Sequence, residues 1–231
     1  MTWIKLCSVL FLSLNLMFTG CKSQPNEEVY ISDFYNIHEE YKDAWGNVGK
    51  YDISLPYIHC DSKSAKKLNQ TIKNEYKDLV DSLDEAKEEG YTLPDTKVSY
   101  DVYTHSNLLS LVIKEEVETE YPRYKVYHFD SKTKKRVSNK KLYKKDKIRR
   151  KDMKVWAAQA FDQEYANEYY DNVKELRAQT IGLLPSNLDV FYHKGKLNVL
   201  IPIATNFGSG TKMVLYRPSR KKSYKIEDSS T

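Results

Sequence analysis

The sequence predicts an α+β fold, an antiparallel sheet with two amphipathic helices packed on it, in the order β-α-β-β-β-(β)-α-β-β. Three observations predict it. Residues 98–130 hold three β-type runs back to back (98–103, 108–117 and 123–129), split by His105-Ser106-Asn107 and by Thr119-Glu120-Tyr121-Pro122. Two long stretches repeat apolar residues at three- and four-residue steps. Two further apolar runs near the end are joined by His193-Lys194-Gly195-Lys196, whose glycine supplies the positive φ of a tight turn.

The elements follow in order. Residues 51–58 read as a first strand, with Ile53, Leu55 and Tyr57 alternating and Pro56 marking a sheet edge. A helix over 62–87 carries Ala65, Leu68, Ile72, Leu79 and Leu83 on one stripe; Asp61 or Ser62 caps it and Gly90 stops it. In the meander, Val98, Tyr100 and Val102 alternate, and turn-forming Ser, Asn and Pro separate the runs. The middle run, Leu-Leu-Ser-Leu-Val-Ile, is apolar on both faces and is expected to be the central strand, covered on both sides. A short strand over 136–143 and a second helix over 149–176 come next. The hairpin 188–192 and 197–203 follows, and 211–216 adds a last strand. Short local connections between these elements suit a layered α+β arrangement.

Ahead of the first strand the sequence divides in two. Residues 1–20 carry Lys5, an uncharged run from 6 to 18, and then Thr19-Gly20 before Cys21. The run is too short to span a bilayer stably but has the length of a signal-peptide core. Small residues before a cysteine resemble the bacterial lipobox, although Phe18 departs from its usual Leu. That resemblance implies cleavage before Cys21 and diacylglyceryl attachment to its sulfur, which holds a protein to a membrane without a spanning helix. Ordinary secretion with an incidental cysteine is the alternative. The expected organisation is therefore a lipoprotein signal peptide (1–20), a lipidated tether (21–49), one domain (50–217) and a polar tail (218–231). The protein would sit on a bacterial cell membrane or outer membrane, facing the extracytoplasmic side.

Composition narrows the function classes. With 231 residues, 40% hydrophobic and 30% charged, the chain suits one globular domain plus appendages. Loss of residues 1–20 removes Lys5 alone from the 37 basic residues and none of the 32 acidic ones, so the net charge falls by one from +5. All 19 tyrosines lie beyond residue 20, where their flat bodies and polar tips suit sheet surfaces, core edges or contacts with sugars and partners. Of three cysteines only Cys60 remains in the domain, to be buried or reactive. His59 precedes it, but neighbours on an extended chain point to opposite faces, so His59 is badly placed to activate the thiol. His38, His59, His105, His128 and His193 lack metal-ligand spacing, and there is no G-x-S-x-G, phosphate loop or dinucleotide glycine pattern. No catalytic residue, metal or cofactor is assigned.

Several segments resemble one family of bacterial extracytoplasmic domains. Asn69-Gln70-Thr71-Ile72 looks like its N-x-x-I helix, and residues 100–111 (YDVYTHSNLLSL) look like its paired strands. Phe129-Asp130 with Thr133, Lys134 and Leu142-Tyr143 is similar to its F-D-x-x-T-G-K…D-L-F segment, and 188–203 matches its closing hairpin. The family supplies the outer domain of the lysozyme-sensing anti-sigma factor RsiV and the non-catalytic domain beside some peptidoglycan deacetylases. Two departures stand out. A lipid anchor replaces the spanning helix of the anti-sigma relatives, so direct signalling across the membrane is not implied. Lys134-Lys135 replaces the glycine of the turn, which leaves that hairpin's shape open.

Charge patterning gives two candidate surfaces. Residues 132–154 are densely basic, and Lys134, Lys135, Arg136, Lys140, Lys141, Lys144, Lys145, Arg149 and Arg150 are the candidate polyanion-binding group. Outside a cell the available polyanions are lipid headgroups, teichoic-type polymers or lipopolysaccharide, not nucleic acid. Glu115, Glu116, Glu118 and Glu120, with Tyr121 and Tyr124 as flat anchors, form a candidate docking strip for a cationic protein such as lysozyme. Charged strand ends also serve simply to discourage edge pairing. The expected function is a membrane-anchored, non-enzymatic binding module for a cell-wall polymer or a lysozyme-like protein. A wall-acting enzyme with an unrecognised site and a structural subunit of an envelope complex are the alternatives.

Overall fold

Thirteen residues expected to be tether form the longest strand. The computed structural model describes residues 28–166, 171–206 and 210–218; the signal peptide, Cys21 and residues 219–231 of the tail lie outside them. Strand β1 (Tyr30–Lys42) pairs antiparallel with β2 (Val48–His59) from Tyr30↔His59 to Lys42↔Val48. The register slips between Asp33 and Tyr35, so Phe34 is the extra residue of a bulge. A bulge shifts the side-chain alternation by one, which is why no period-two pattern is visible in 30–42. Pro56 sits opposite Asp33 at this irregularity, on a strand that is second in the sheet rather than at its edge.

The 62–87 helix is two helices, α1 (Lys63–Glu75) and α2 (Lys77–Glu89), hinged at buried Tyr76. Ser62 caps α1 by accepting the Ala65 N–H at 3.0 Å, and Gly90 closes α2 in the left-handed conformation. This crossover returns the chain to the end it started from, so β3 (Thr96–His105) runs parallel to β2, against the all-antiparallel expectation. The parallel pairing covers only Tyr51↔Thr96 to Ile53↔Val98. Past it the Asn69 side-chain amide takes over the role of a strand neighbour, accepting the Ile58 N–H and donating to the Ile58 carbonyl, both at 2.9 Å.

Strands β4 (Leu108–Val117), β5 (Arg123–Asp130) and β6 (Lys135–Val137) complete an antiparallel meander, giving a six-stranded sheet in sequence order. The strand expected over 136–143 stops after three residues. Ser138 then accepts the Lys141 N–H at 3.3 Å and starts α3 (Asn139–Asp146), which buries Leu142 and Tyr143. The second long helix is also a pair, α4 (Arg150–Glu164) and α5 (Val173–Gly182). The final strands β7 (Asp189–His193), β8 (Lys196–Ala204) and β9 (Thr211–Tyr216) form a separate three-stranded sheet, not an extension of the first. Lys194 and Gly195 both take positive φ in the turn between β7 and β8.

Three clusters of buried residues show how the pieces stack. One joins α1 and α2 to the large sheet through Leu68, Ile72, Ile53, Leu111, Ile113 and Phe129. A second joins α3, α4 and α5 to the small sheet through Leu142, Phe161, Leu176, Val190, Val199 and Ile201. The third lies between the sheets, where Val112 with Tyr103, Tyr124 and Val126 meets Phe191, Leu200 and Met213. The order is helices, large sheet, small sheet, helices. Strand β4 is buried from both sides, Leu111 and Ile113 toward α1 and Val112 toward the small sheet, as its unbroken apolar run requires. Among the described residues no helix is long and apolar enough to cross a membrane.

Candidate anion-binding face

The basic segment folds into a continuous exposed ridge. Its turn is kept despite the missing glycine: Lys134 itself adopts the left-handed conformation at φ 53°, and Asp130 accepts the Thr133 N–H at 2.7 Å. That backbone N–H holds the Asp130 carboxyl below the usual range. In β6 the Arg136 N–H donates to Ser64 Oγ at 2.7 Å, and its guanidinium carbon stands 5.8 Å from the centre of the Tyr127 ring. Helix α3 then displays Lys140, Lys141, Lys144 and Lys145 on its solvent face, because Leu142 and Tyr143 claim the inner one.

Two of the nine candidate cations are used internally. Arg149 pairs with Asp152 at 3.1 Å across the start of α4, and Arg150 donates to the carbonyls of Pro185 and Leu184, the latter at 2.6 Å. The other seven form no ion pair among the described residues.

The acidic strip is organised the opposite way. Glu115 lies on the α1 face with only 19% of its side chain exposed and 3.4 Å from Arg123. Glu116 bonds Lys114 at 2.6 Å, and Glu120 bonds Arg123 at 2.6 Å, so that of the four acids Glu118 alone has no ion pair among the described residues. Tyr121 is exposed, but Tyr124 packs into the cluster between the sheets and is not free to anchor a partner. A cleft of about 490 Å³ beside this strip is lined by both acids and lysines; Lys97 pairs with Asp52 across it at 2.8 Å, while Lys50, Glu116 and Glu120 pair with Glu40, Lys114 and Arg123 outside it.

Beneath the basic ridge lies a polar network that sequence reading missed. His128, 2% exposed on β5, has Nδ1 3.0 Å from Ser110 Oγ and Nε2 3.0 Å from Asn139 Oδ1; Asn139 Nδ2 donates to Asp189 at 2.7 Å. With Asn139 Oδ1 as acceptor, Nε2 carries the ring proton and Nδ1 accepts from the serine, a tautomer assigned from the network. Burial lowers the His128 pKa to about 4, outweighing the Asn139 bond that raises it. Burial likewise raises the Asp189 carboxyl, against the Asn139 bond that lowers it. The only sequence signal was a histidine and a serine inside apolar strand runs.

The remaining candidates are accounted for locally. His59 stands 2.7 Å from Ser32 Oγ and stacks on Tyr30, while the half-buried Cys60 packs against the core beside α1. Among the described residues no three His, Cys, Asp or Glu side chains gather as a metal site would need.

No family model matches the chain, and comparison with curated proteins finds no match. Solved structures do resemble it. One is a DUF3298 family protein from Bacteroides fragilis, 10% identical, with a TM-score of 0.47 over 82% of this chain and 90% of that one. Another is a DUF3298 family protein from Pseudomonas aeruginosa, 8% identical, with a TM-score of 0.48 over 83% and 91%. The structural neighbours are thus bacterial proteins of the DUF3298 family.

Proposed function

We propose that the protein is a lipid-anchored, extracytoplasmic binding module of the RsiV-like kind, and that its ridge of unpaired cations takes an anionic polymer of the bacterial envelope. One contrast carries the reading. Seven of nine candidate cations form no ion pair among the described residues, six of them exposed, whereas three of four candidate acids are already paired. Unpaired surface charge is available to a ligand at little desolvation cost, while a paired acid must first lose its partner. Lysozyme, the partner suggested by resemblance and the acidic strip, is disfavoured on the same ground, since a net basic domain repels a basic protein at long range.

The experiment is titration of the full chain, in micelles with zwitterionic headgroups, with poly(glycerol phosphate) and with a neutral glycan of similar length. Saturable binding to the polyanion alone is expected, without turnover and weakening steeply between low and 0.5 M salt. Salt-insensitive binding, or binding to both polymers alike, overturns the reading. Saturation by lysozyme with no response to polyanion would restore the acidic strip as the working surface.

A further inference from the structure

Beside the ridge the edge of the large sheet does not close against α3, and a cleft of about 470 Å³ remains between them. Arg136, Lys140 and Lys141 line it, with Ser138, Asn139 and His128 among the other residues, and among the described residues no carboxylate is part of its walls. The acid nearest in the network, Asp189, is bound by Asn139 and has its carboxyl raised by burial. His128 is neutral near pH 7, and both its ring nitrogens are committed, so the floor is fixed and polar rather than charged. In the first turn of α3 the N–H groups of Asn139 and Lys140 meet no acceptor among the described residues, and no acidic side chain occupies that turn.

From this we infer that the cleft is a phosphodiester subsite, the point at which one repeat of a polyol-phosphate chain is gripped while the ridge holds its neighbours. The inference rests on the polyanion reading above and names its ligand class and seat. Three cation-bearing residues lining one concave wall without a carboxylate suit a compact anion with several acceptor oxygens. Lys144 and Lys145 stand one helical turn further along α3, about 5 Å on, where a continuous chain meets a second pair of cations. The concavity favours a polymer over a bilayer as the source of the phosphate. A single chain can enter a cleft, whereas a flat headgroup plane meets the convex lysines of the ridge first.

Two triple variants of the full chain in zwitterionic micelles test this, each removing three positive charges. Arg136→Gln/Lys140→Gln/Lys141→Gln empties the cleft, and Lys144→Gln/Lys145→Gln/Lys151→Gln takes the same charge from outside it. Unchanged thermal unfolding is the check on folding, and Lys140→Gln/Lys141→Gln alone is the fallback if Arg136 proves necessary. Against poly(glycerol phosphate) the cleft variant is expected to lose at least tenfold in affinity and the outer variant less than threefold. Equal losses overturn the subsite while leaving the polyanion reading intact. Absence of binding by the unaltered chain overturns both. A further arm uses anionic phospholipid vesicles: if they bind with the same cleft dependence and the soluble polymer does not, the phosphate belongs to a lipid headgroup and the polymer assignment fails. Inorganic phosphate at millimolar concentration is expected to displace the polymer from the unaltered chain and to have less effect on the cleft variant.

Discussion

His128 shows what a single buried residue does for both stability and site. Its ring bridges β4, through Ser110, to the start of α3, through Asn139, so the geometry of the cleft depends on it. The sign of its pH effect is fixed by burial. With a folded pKa of about 4 and an unfolded value near 6.5, the unfolded chain takes up the proton first. Its contribution is fully present above pH 6.5 and is lost as pH falls from there toward 4, by about 2 kcal/mol between pH 7 and 5. Asp189, raised from its ordinary value, acts in the opposite sense at the acid end: its penalty is absent below the unfolded pKa and grows as pH rises through the folded one. Urea unfolding of the full chain at pH 7 and pH 5 is expected to show the loss, and His128→Gln to remove most of the difference. An unchanged pH dependence in that variant would sink the assignment.

At the scale of elements, local patterning and long-range pairing divide what the sequence reveals. The meander and the last hairpin were legible because alternation and turn residues are local. Strand β1 was not, because the bulge at Phe34 breaks its alternation. Helix α3 was hidden by its lysines, although Ser138 and the buried pair Leu142-Tyr143 did mark a capped helix. Division into two sheets could not be read from any segment, since it depends on Val112 and Val126 meeting Phe191 and Leu200 across the interior. Of the candidate site, the exposed ridge was legible as a charge run, but the cleft was not, because Arg136, Asn139 and His128 come together only when β6 ends and α3 turns back. The Asn69 clamp makes the most exacting prediction here. Removing its amide in Asn69→Ala leaves the Ile58 N–H and carbonyl buried without partners on that side, where strand pairing with β3 has already ended. A loss of roughly 2–4 kcal/mol in unfolding free energy is expected. A loss below about 0.5 kcal/mol, within the usual range for surface changes, would show that the clamp is dispensable.

The whole molecule is polarised along its strands. Tyr30 pairs with His59, and the parallel register of β2 and β3 puts that end alongside His105, Leu108, Asp130 and Lys135. Chain entry and the basic turn therefore share one end of the large sheet. The other end carries the β1–β2 hairpin, with Trp45 77% exposed on a loop held by Asp43, and the acidic strip at the close of β4. Thirteen strand residues put about 40 Å between the two ends. If Cys21 is lipidated, only residues 22–29 separate the membrane from Tyr30, a reach of at most about 30 Å. The tether then keeps the basic end toward the bilayer and the Trp45 hairpin away from it, whatever the headgroup charge. Mass spectrometry is expected to find a diacylglyceryl thioether on Cys21 of the mature chain, and Cys21→Ala to abolish it. In nanodiscs, a fluorophore at Lys144→Cys should be quenched by nitroxide lipids more strongly than one at Asn47→Cys, in neutral and anionic bilayers alike. Equal quenching at the two positions would mean that the tether does not orient the domain, and the cleft would then have no fixed relation to polymers rising from the same membrane.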